Sequence, residues 1–215
     1  MRTLIVAPHM DDETLGCGGI IAKRKLQGYS VDVLTVTQPS EPMYSKDFIE
    51  NENEECREAL DSLGVDNVYQ LTYPTTKLEE ISSNELISQI KKILDISMPQ
   101  EIFISHRGDI HKEHKIVSDA CMVACRPKNN VSVKKIYSYE VLSETDWDIP
   151  NTVNAFIPNV YVDVSDVFQK KIDALRKYKS QVMGDYSARS IDSITSLARH
   201  RGRLLELNMQ KHSCL

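Results

Sequence analysis

His9, Asp11, Asp12 and Glu13 stand together at the end of a short apolar run, and His106, Asp109, His111, Glu113 and His114 fall within nine residues further along. Histidine nitrogens and carboxylate oxygens are ligands for divalent zinc, and a catalytic zinc site takes three of them and leaves one position open. His9 and Asp12 lie three apart, so both side chains can turn to one point. His111 and His114 are spaced i, i+3, which on a helix puts them on one face. Either histidine can complete a His–Asp–His set, with the other beside a substrate. Asp11 is then left next to a ligand without being one, and a carboxylate so placed is a natural general base for an activated water. A plainer reading exists for each group. Acids ahead of a helix complement its macrodipole, and a histidine pair on a helix often faces solvent. The metal reading gains weight because both groups follow strand-like segments.

Those segments form a regular series. Strand-like runs cover residues 3–7, 31–37, 65–71, 101–105, 133–139 and 160–164, and helical periodicity covers 20–26, 49–63, 83–96, 111–125, 165–180 and 190–209. Gly16, Gly18 and Gly19 fall in the loop ahead of the first helix. Gly28 and Gly64 close the first two helices, and Ser165 is placed to cap the fifth at its N-terminus. Strands alternating with helices imply a parallel sheet with helices on its faces, in one doubly wound α/β domain over residues 1–215. Such sheets bind ligands beyond the carboxyl ends of their strands. The first acidic group follows the first strand and the histidine group follows the fourth, so both belong to that edge.

Composition narrows the partners. The chain has 215 residues, 41 % hydrophobic and 27 % charged, the balance of a soluble globular protein. Its net charge of -5 argues against nucleic acid as the main partner. No apolar run is long enough to span a bilayer, and the opening lacks the apolar segment and small-residue cleavage site of a signal peptide, so a cytoplasmic location is expected. Cys17, Cys56, Cys121, Cys125 and Cys214 are odd in number and contain no CxxC, which fits reduced thiols. Cys121 and Cys125, one helical turn apart, read as small apolar residues on a buried helix face rather than as metal ligands. Exposed helices leave room for a homo-oligomer.

Pro8-His9-Met10-Asp11-Asp12-Glu13 followed by Gly16-Cys17-Gly18-Gly19, with His111-Lys112-Glu113-His114 downstream, resembles the LmbE-like or PIG-L superfamily of zinc-dependent N-deacetylases. Tyr139-Glu140-Val141 and Tyr178-Lys179-Ser180-Gln181 are similar to later segments of the same superfamily, so the resemblance covers most of the chain. It implies a single domain with a Rossmann-like three-layer fold and a mostly parallel sheet. It also implies one Zn2+ per chain, or another divalent transition metal. The implied reaction removes acetyl from an N-acetylated amino sugar, free, nucleotide-linked or in a glycoconjugate, and releases acetate. Position by position, the resemblance implies His9, Asp12 and His114 as metal ligands and Asp11 as the general base. His111 would sit beside the scissile carbonyl, its protonated form stabilising the oxyanion. Asp109 and Glu113 then fit as partners of the ligand histidines' outer ring nitrogens. His106 and Arg107 receive no role. Met10 stands where the superfamily most often has proline, and Glu52 where it often carries a substrate-contacting arginine. Two other functions remain open. One is a metal-free Rossmann-like domain holding a nucleotide or sugar phosphate on Gly16, Gly18 and Gly19, although these lack the GxGxxG register and the neighbouring acids repel phosphate. The other is metal-dependent hydrolysis of a different amide.

Overall fold

The computed structural model describes residues 1–204 apart from 131, 150, 183 and 185. Among these residues five strands form one sheet: β1 (Arg2–Ala7), β2 (Ser30–Gln38), β3 (Asn67–Pro74), β4 (Glu101–Ser105) and β5 (Lys135–Tyr139). Their order is β3-β2-β1-β4-β5, and every pairing is parallel. The chain steps outward from β1 through β2 to β3, then returns across β1 and continues on its other side. That reversal makes the β1/β4 boundary a topological switch point, where parallel α/β sheets open a crevice. The doubly wound α/β architecture read from the sequence is the one observed.

Successive side chains of a strand point to opposite faces, so a sheet covered on both sides has two cores. Ile5, Val33 and Phe103 face one core, together with α1 (Asp12–Leu26), α2 (Lys46–Leu63), α5 (Phe168–Leu175) and α6 (Ile191–Arg203). Leu4, Val6, Leu34, Ile102 and Ile104 face the other, with α3 (Ser83–Ser97) and α4 (Lys112–Ala124). Cys121 and Cys125 are free, buried thiols in this second core. Cys17 and Cys56 are likewise free and buried, and Cys214 lies outside the described residues. No described helix is long and apolar enough to cross a membrane.

The structure departs from the sequence reading at four elements. α1 begins at Asp12 rather than at residue 20 and takes Gly16, Gly18 and Gly19 into its interior. Glycine is a poor helix former, which is why these positions read as loop. They are small because neighbours press on them: a Cβ at Gly16 would overlap the Tyr139 ring, and one at Gly19 would lie 3.2 Å from Val164. Residues 160–164 are not a sixth strand of the sheet. Val164 and Val162 pack into the first core beside α1, so their alternation reflects contact with a helix rather than pairing with an edge. α5 is shorter than expected, starting at Phe168, three residues after Ser165. Its N–H and hydroxyl both donate to Asp163 Oδ1, and Val167 occupies the cap position. α6 ends at Arg203, with Ser190 Oγ accepting from Ser193 N–H at 3.0 Å, and residues 205–209 of the expected helix lie outside the described residues.

Candidate metal centre

The end of β1 is shaped into a tight turn by backbone donors and acids. Pro8 O accepts from both the N–H and the hydroxyl of Thr37, each at 2.9 Å. His9 N–H donates to Asp12 Oδ2 at 2.9 Å, and Asp11 N–H donates to Glu13 Oε2 at 3.0 Å. Asp11 has φ of 117°, a backbone region that L-residues seldom occupy, so the turn holds it there against strain. Glu13 is fully buried and accepts from the hydroxyls of Thr14 (2.7 Å) and Tyr178 (2.6 Å). It fastens the turn to the interior and offers nothing to the cleft. On the other side of the switch point, β4 leads through a loop to α4, where His111 is the N-cap and its Nδ1 accepts from Glu113 N–H at 3.3 Å.

His9, Asp12 and His114 meet across the β1/β4 boundary. His9 Nδ1 lies 3.2 Å from Asp12 Oδ2, His114 Nε2 lies 3.1 Å from the same oxygen, and the two ring nitrogens are 3.3 Å apart. Bonds of about 2.0–2.1 Å at tetrahedral angles would separate zinc ligand atoms by about 3.3–3.4 Å. The triangle therefore has the dimensions of one face of such a site. Asp12 Oδ1 adds a second sign: it is buried with no hydrogen-bond partner among the described residues. A buried carboxylate oxygen without a donor is costly in a metal-free protein and natural beside a cation. A second grouping, His9, His111 and Glu113, is also close enough to share an ion. There, however, both Glu113 oxygens are engaged, Oε1 by Leu78 N–H at 2.9 Å and Oε2 by His9 Nε2 at 2.8 Å. The donor set that fits a divalent metal is His9, Asp12 and His114.

The outer ring nitrogens of both histidines are held by carboxylates. His114 Nδ1 pairs with Asp109 Oδ2 at 2.7 Å and His9 Nε2 with Glu113 Oε2 at 2.8 Å, contacts that fix the ring orientations and turn the inner nitrogens toward Asp12. Burial disfavours charge on either ring, yet the surrounding acids prevail. Asp12 and Glu113 push His9 up to about 9, and Asp12 and Asp109 push His114 up to about 10. Burial also works against charge on Asp12, but His114 and His9 hold its carboxyl well below the usual range. The cluster is built to surround positive charge.

Next to it stand three groups of different character. Burial, followed by the charge of Asp12, lifts Asp11 well above an ordinary carboxyl, with Arg189 opposing. Arg189 Nη1 donates to Asp11 Oδ2 at 2.8 Å, its Nη2 to Glu144 Oε1 at 2.9 Å and its Nε to Ser143 Oγ at 2.7 Å. Burial and the neighbouring His9 and His114 lower His111 to about 4. Its Nδ1 accepts from Glu113 N–H, which leaves Nε2 as the ring nitrogen that can donate into the cleft. All three line a cleft of about 370 Å³, whose wall also carries Tyr44, Phe48, Glu52 and Gln181. Burial pushes Glu52 up to about 7, and its Oε1 accepts from Gln181 Nε2 at 2.9 Å.

Arg189 is the residue in this group that sequence reasoning missed. It lies 178 positions from Asp11, and no local spacing or motif links the two. His106 and Arg107 point elsewhere. The His106 ring bonds Asn154 O at 2.8 Å, and Arg107 pairs with Asp119 on the exposed side of α4. Gly16, Gly18 and Gly19 are covered by Tyr139, Lys171 and Val164, so they form no cradle for a phosphate.

Comparison with known proteins places these features in a wider set. The PIG-L family model, described as GlcNAc-PI de-N-acetylase, matches residues 4–125, a span that holds all three candidate ligands. An uncharacterized deacetylase of Escherichia coli (strain K12), YaiS, is 30 % identical over 183 residues, which cover 82 % of this chain and 90 % of that protein. The diacetylchitobiose deacetylase of Thermococcus kodakarensis is 26 % identical over 199 residues, 86 % of this chain and 71 % of the relative. Among solved structures, the conserved protein TT1542 from Thermus thermophilus superposes with a TM-score of 0.77 at 24 % identity, covering 99 % of this chain and 91 % of that one, which shows a shared fold.

Proposed function

The chain belongs to the PIG-L family of de-N-acetylases, and we propose that it is a zinc-dependent, cytoplasmic hydrolase that removes the N-acetyl group from an N-acetylated amino sugar. The observation that carries this reading is the His9–Asp12–His114 triangle, with its unpartnered Asp12 oxygen, beside a buried Asp11 on the same cleft. Hydrolysis of an acetamide needs an activated water, a stabilised oxyanion and a proton for the leaving amine. A metal bound by His9, Asp12 and His114 supplies Lewis acidity, polarising a carbonyl and acidifying water.

The remaining chemistry belongs to the chain's own side chains. Arg189 holds Asp11 Oδ2, and Asp11 Oδ1 has no partner among the described residues, so that oxygen can take the proton from the attacking water. A carboxyl raised above its ordinary range is the stronger base. As the water oxygen bonds to the acetyl carbon, His111 Nε2–H donates to the developing oxyanion. When the C–N bond breaks, Asp11 returns its proton to the amine, leaving acetate and a free amino sugar. Asp109 and Glu113 keep the two ligand rings aimed throughout.

Acetate release by metal-loaded protein, measured over a panel of N-acetylated mono- and disaccharides, sugar nucleotides and glycolipid headgroups, tests the proposal. At least one member of the panel is turned over, and Asp11→Asn lowers kcat by about 100-fold or more with metal content unchanged. Release from none of them, or near wild-type turnover by Asp11→Asn, overturns it.

A further inference from the structure

The wall of the cleft beyond the metal cluster carries its own information about the substrate. Arg189 is the only arginine or lysine among the described residues lining it. Its guanidinium is already engaged by Asp11, Ser143 and Glu144, with Gln181 Oε1 at 3.4 Å as well. Asp11 and Glu144 both bind Arg189, Glu52 pairs with the neutral Gln181, and no arginine or lysine among the described residues there is left to meet an anion. Lys112, the residue after His111, is exposed and already pairs with Glu79 at 3.5 Å. The other notable feature is aromatic. Tyr44 and Phe48, both half-buried, stack with ring centroids 5.2 Å apart and an interplanar angle of 20°. Aromatic faces suit the C–H faces of a sugar ring, and the pair of buried Glu52 and half-buried Gln181 at the cleft wall suits sugar hydroxyls.

We infer that the unit next to the reacting N-acetyl sugar is uncharged and hydroxylated, so that the substrate is a neutral N-acetylated oligosaccharide rather than one bearing phosphate or carboxylate. The inference rests on the deacetylase reading and adds the class of sugar conjugate. Tyr44 and Phe48 carry the neighbouring ring, and Glu52 and Gln181 bind its hydroxyls. A phosphate beside Glu52 and Gln181 would meet a carboxyl group and no free arginine or lysine, and leaving an anion without a partner is a means of excluding wrong ligands.

The test compares kcat/KM for acetate release from N,N'-diacetylchitobiose and from N-acetylglucosamine 1-phosphate. The neutral compound is favoured by at least about 30-fold. Glu52→Lys narrows that ratio by about tenfold, and Glu52→Gln, which keeps the side-chain volume, narrows it less. Tyr44→Ala raises KM for the disaccharide by more than it raises KM for N-acetylglucosamine. An anionic compound turned over as well as the neutral one, or an unchanged ratio in both Glu52 variants, overturns the inference while the deacetylase reading stands. Calorimetric titration of the same two compounds into Asp11→Asn protein separates the two failures. If neither compound releases acetate from wild type but the neutral one binds tighter and Glu52→Lys abolishes that preference, the deacetylase reading falls and the charge selectivity is upheld. If neither compound releases acetate and no preference in binding appears, both fall.

Discussion

Four neighbouring carboxylates at the centre have four different environments, and this is where single substitutions speak most clearly. Asp12 faces two ring nitrogens and has one oxygen with no donor; Asp11 is bound by Arg189; Glu13 is tied to Tyr178 and Thr14; Glu113 spans His9 and a backbone N–H. Asp12→Ala and His114→Ala are expected to abolish stoichiometric metal binding, which elemental analysis of purified protein measures directly. Asp109→Asn leaves all three inner ligands in place and should weaken metal binding by about 10- to 100-fold, the usual effect of losing a ligand histidine's partner. An affinity unchanged in Asp109→Asn would mean that His114 is oriented by something else. Arg189 calls for a different readout, because it acts through Asp11. Arg189→Met should lower kcat by about 10- to 100-fold with KM for a monosaccharide little changed, and Arg189→Lys should recover part of the loss. An equal loss in both variants would point to a packing role instead. The grouping of histidines and acids was legible in sequence because they sit a few residues apart at strand ends, while the choice of His114 over His111 came from the family resemblance and not from spacing. Arg189 was not legible, because its partnership exists only after the chain has closed 178 positions into one contact.

At the level of elements, the decisive contact is the one that lets α1 start directly after the turn. Tyr139 at the end of β5 lays its ring on Gly16 and donates its hydroxyl to Val6 O at 2.9 Å, which joins the helix carrying Asp12 to the C-terminal end of β1. Two effects compete in Gly16→Ala. Alanine should favour the helix by about 1 kcal/mol, whereas overpacking a full interface costs about 1–3 kcal/mol. Because the added methyl would overlap the ring itself, the cost should fall at the upper end of that range and overpacking should win, with a net loss of up to about 2 kcal/mol in denaturant unfolding. A stabilised Gly16→Ala protein would show that Tyr139 can move aside. The same contact explains which elements the sequence disclosed. β1, β2 and β4 were readable as short apolar runs buried on both faces, and α3 from its helical periodicity, because each pattern is local. The start of α1 and residues 160–164 were misread because tertiary packing decided them: glycines that look like loop are sites of close approach, and an apolar alternation that looks like a strand is contact with a helix.

Across the whole molecule, charge is taken into the interior at several places, and the buried groups mostly sit among opposite charges or hydrogen-bond donors. Glu101 is met by Arg24 and Thr3, and Asp32 by Ser97 and Asn67. Lys171 differs from them. It is 2 % exposed on α5, and its Nζ donates to Leu15 O of α1 at 2.7 Å without a carboxylate partner among the described residues. Burial lowers its pKa to about 8, against weaker opposing effects of Cys17 and Glu140. An unfolded lysine titrates near ~10.4. Between those values the unfolded chain binds more protons than the folded one, so this group's contribution to stability rises with pH; its cost is present in full below about pH 8 and is relieved toward about pH 10. Other buried groups act in the opposite sense, since burial raises the Cys17 and Cys56 thiols and the Tyr139 and Tyr178 hydroxyls above their ordinary values, and holding them neutral costs stability at high pH. The lysine is isolated by difference. Between about pH 7 and pH 10 the stability of wild type relative to Lys171→Met should move in favour of wild type by up to about 3 kcal/mol, read from denaturant midpoints at each pH. Parallel pH profiles for the two proteins would mean that Lys171 keeps its proton at the α1–α5 interface throughout, and that Leu15 O binds the ammonium strongly enough to offset its burial.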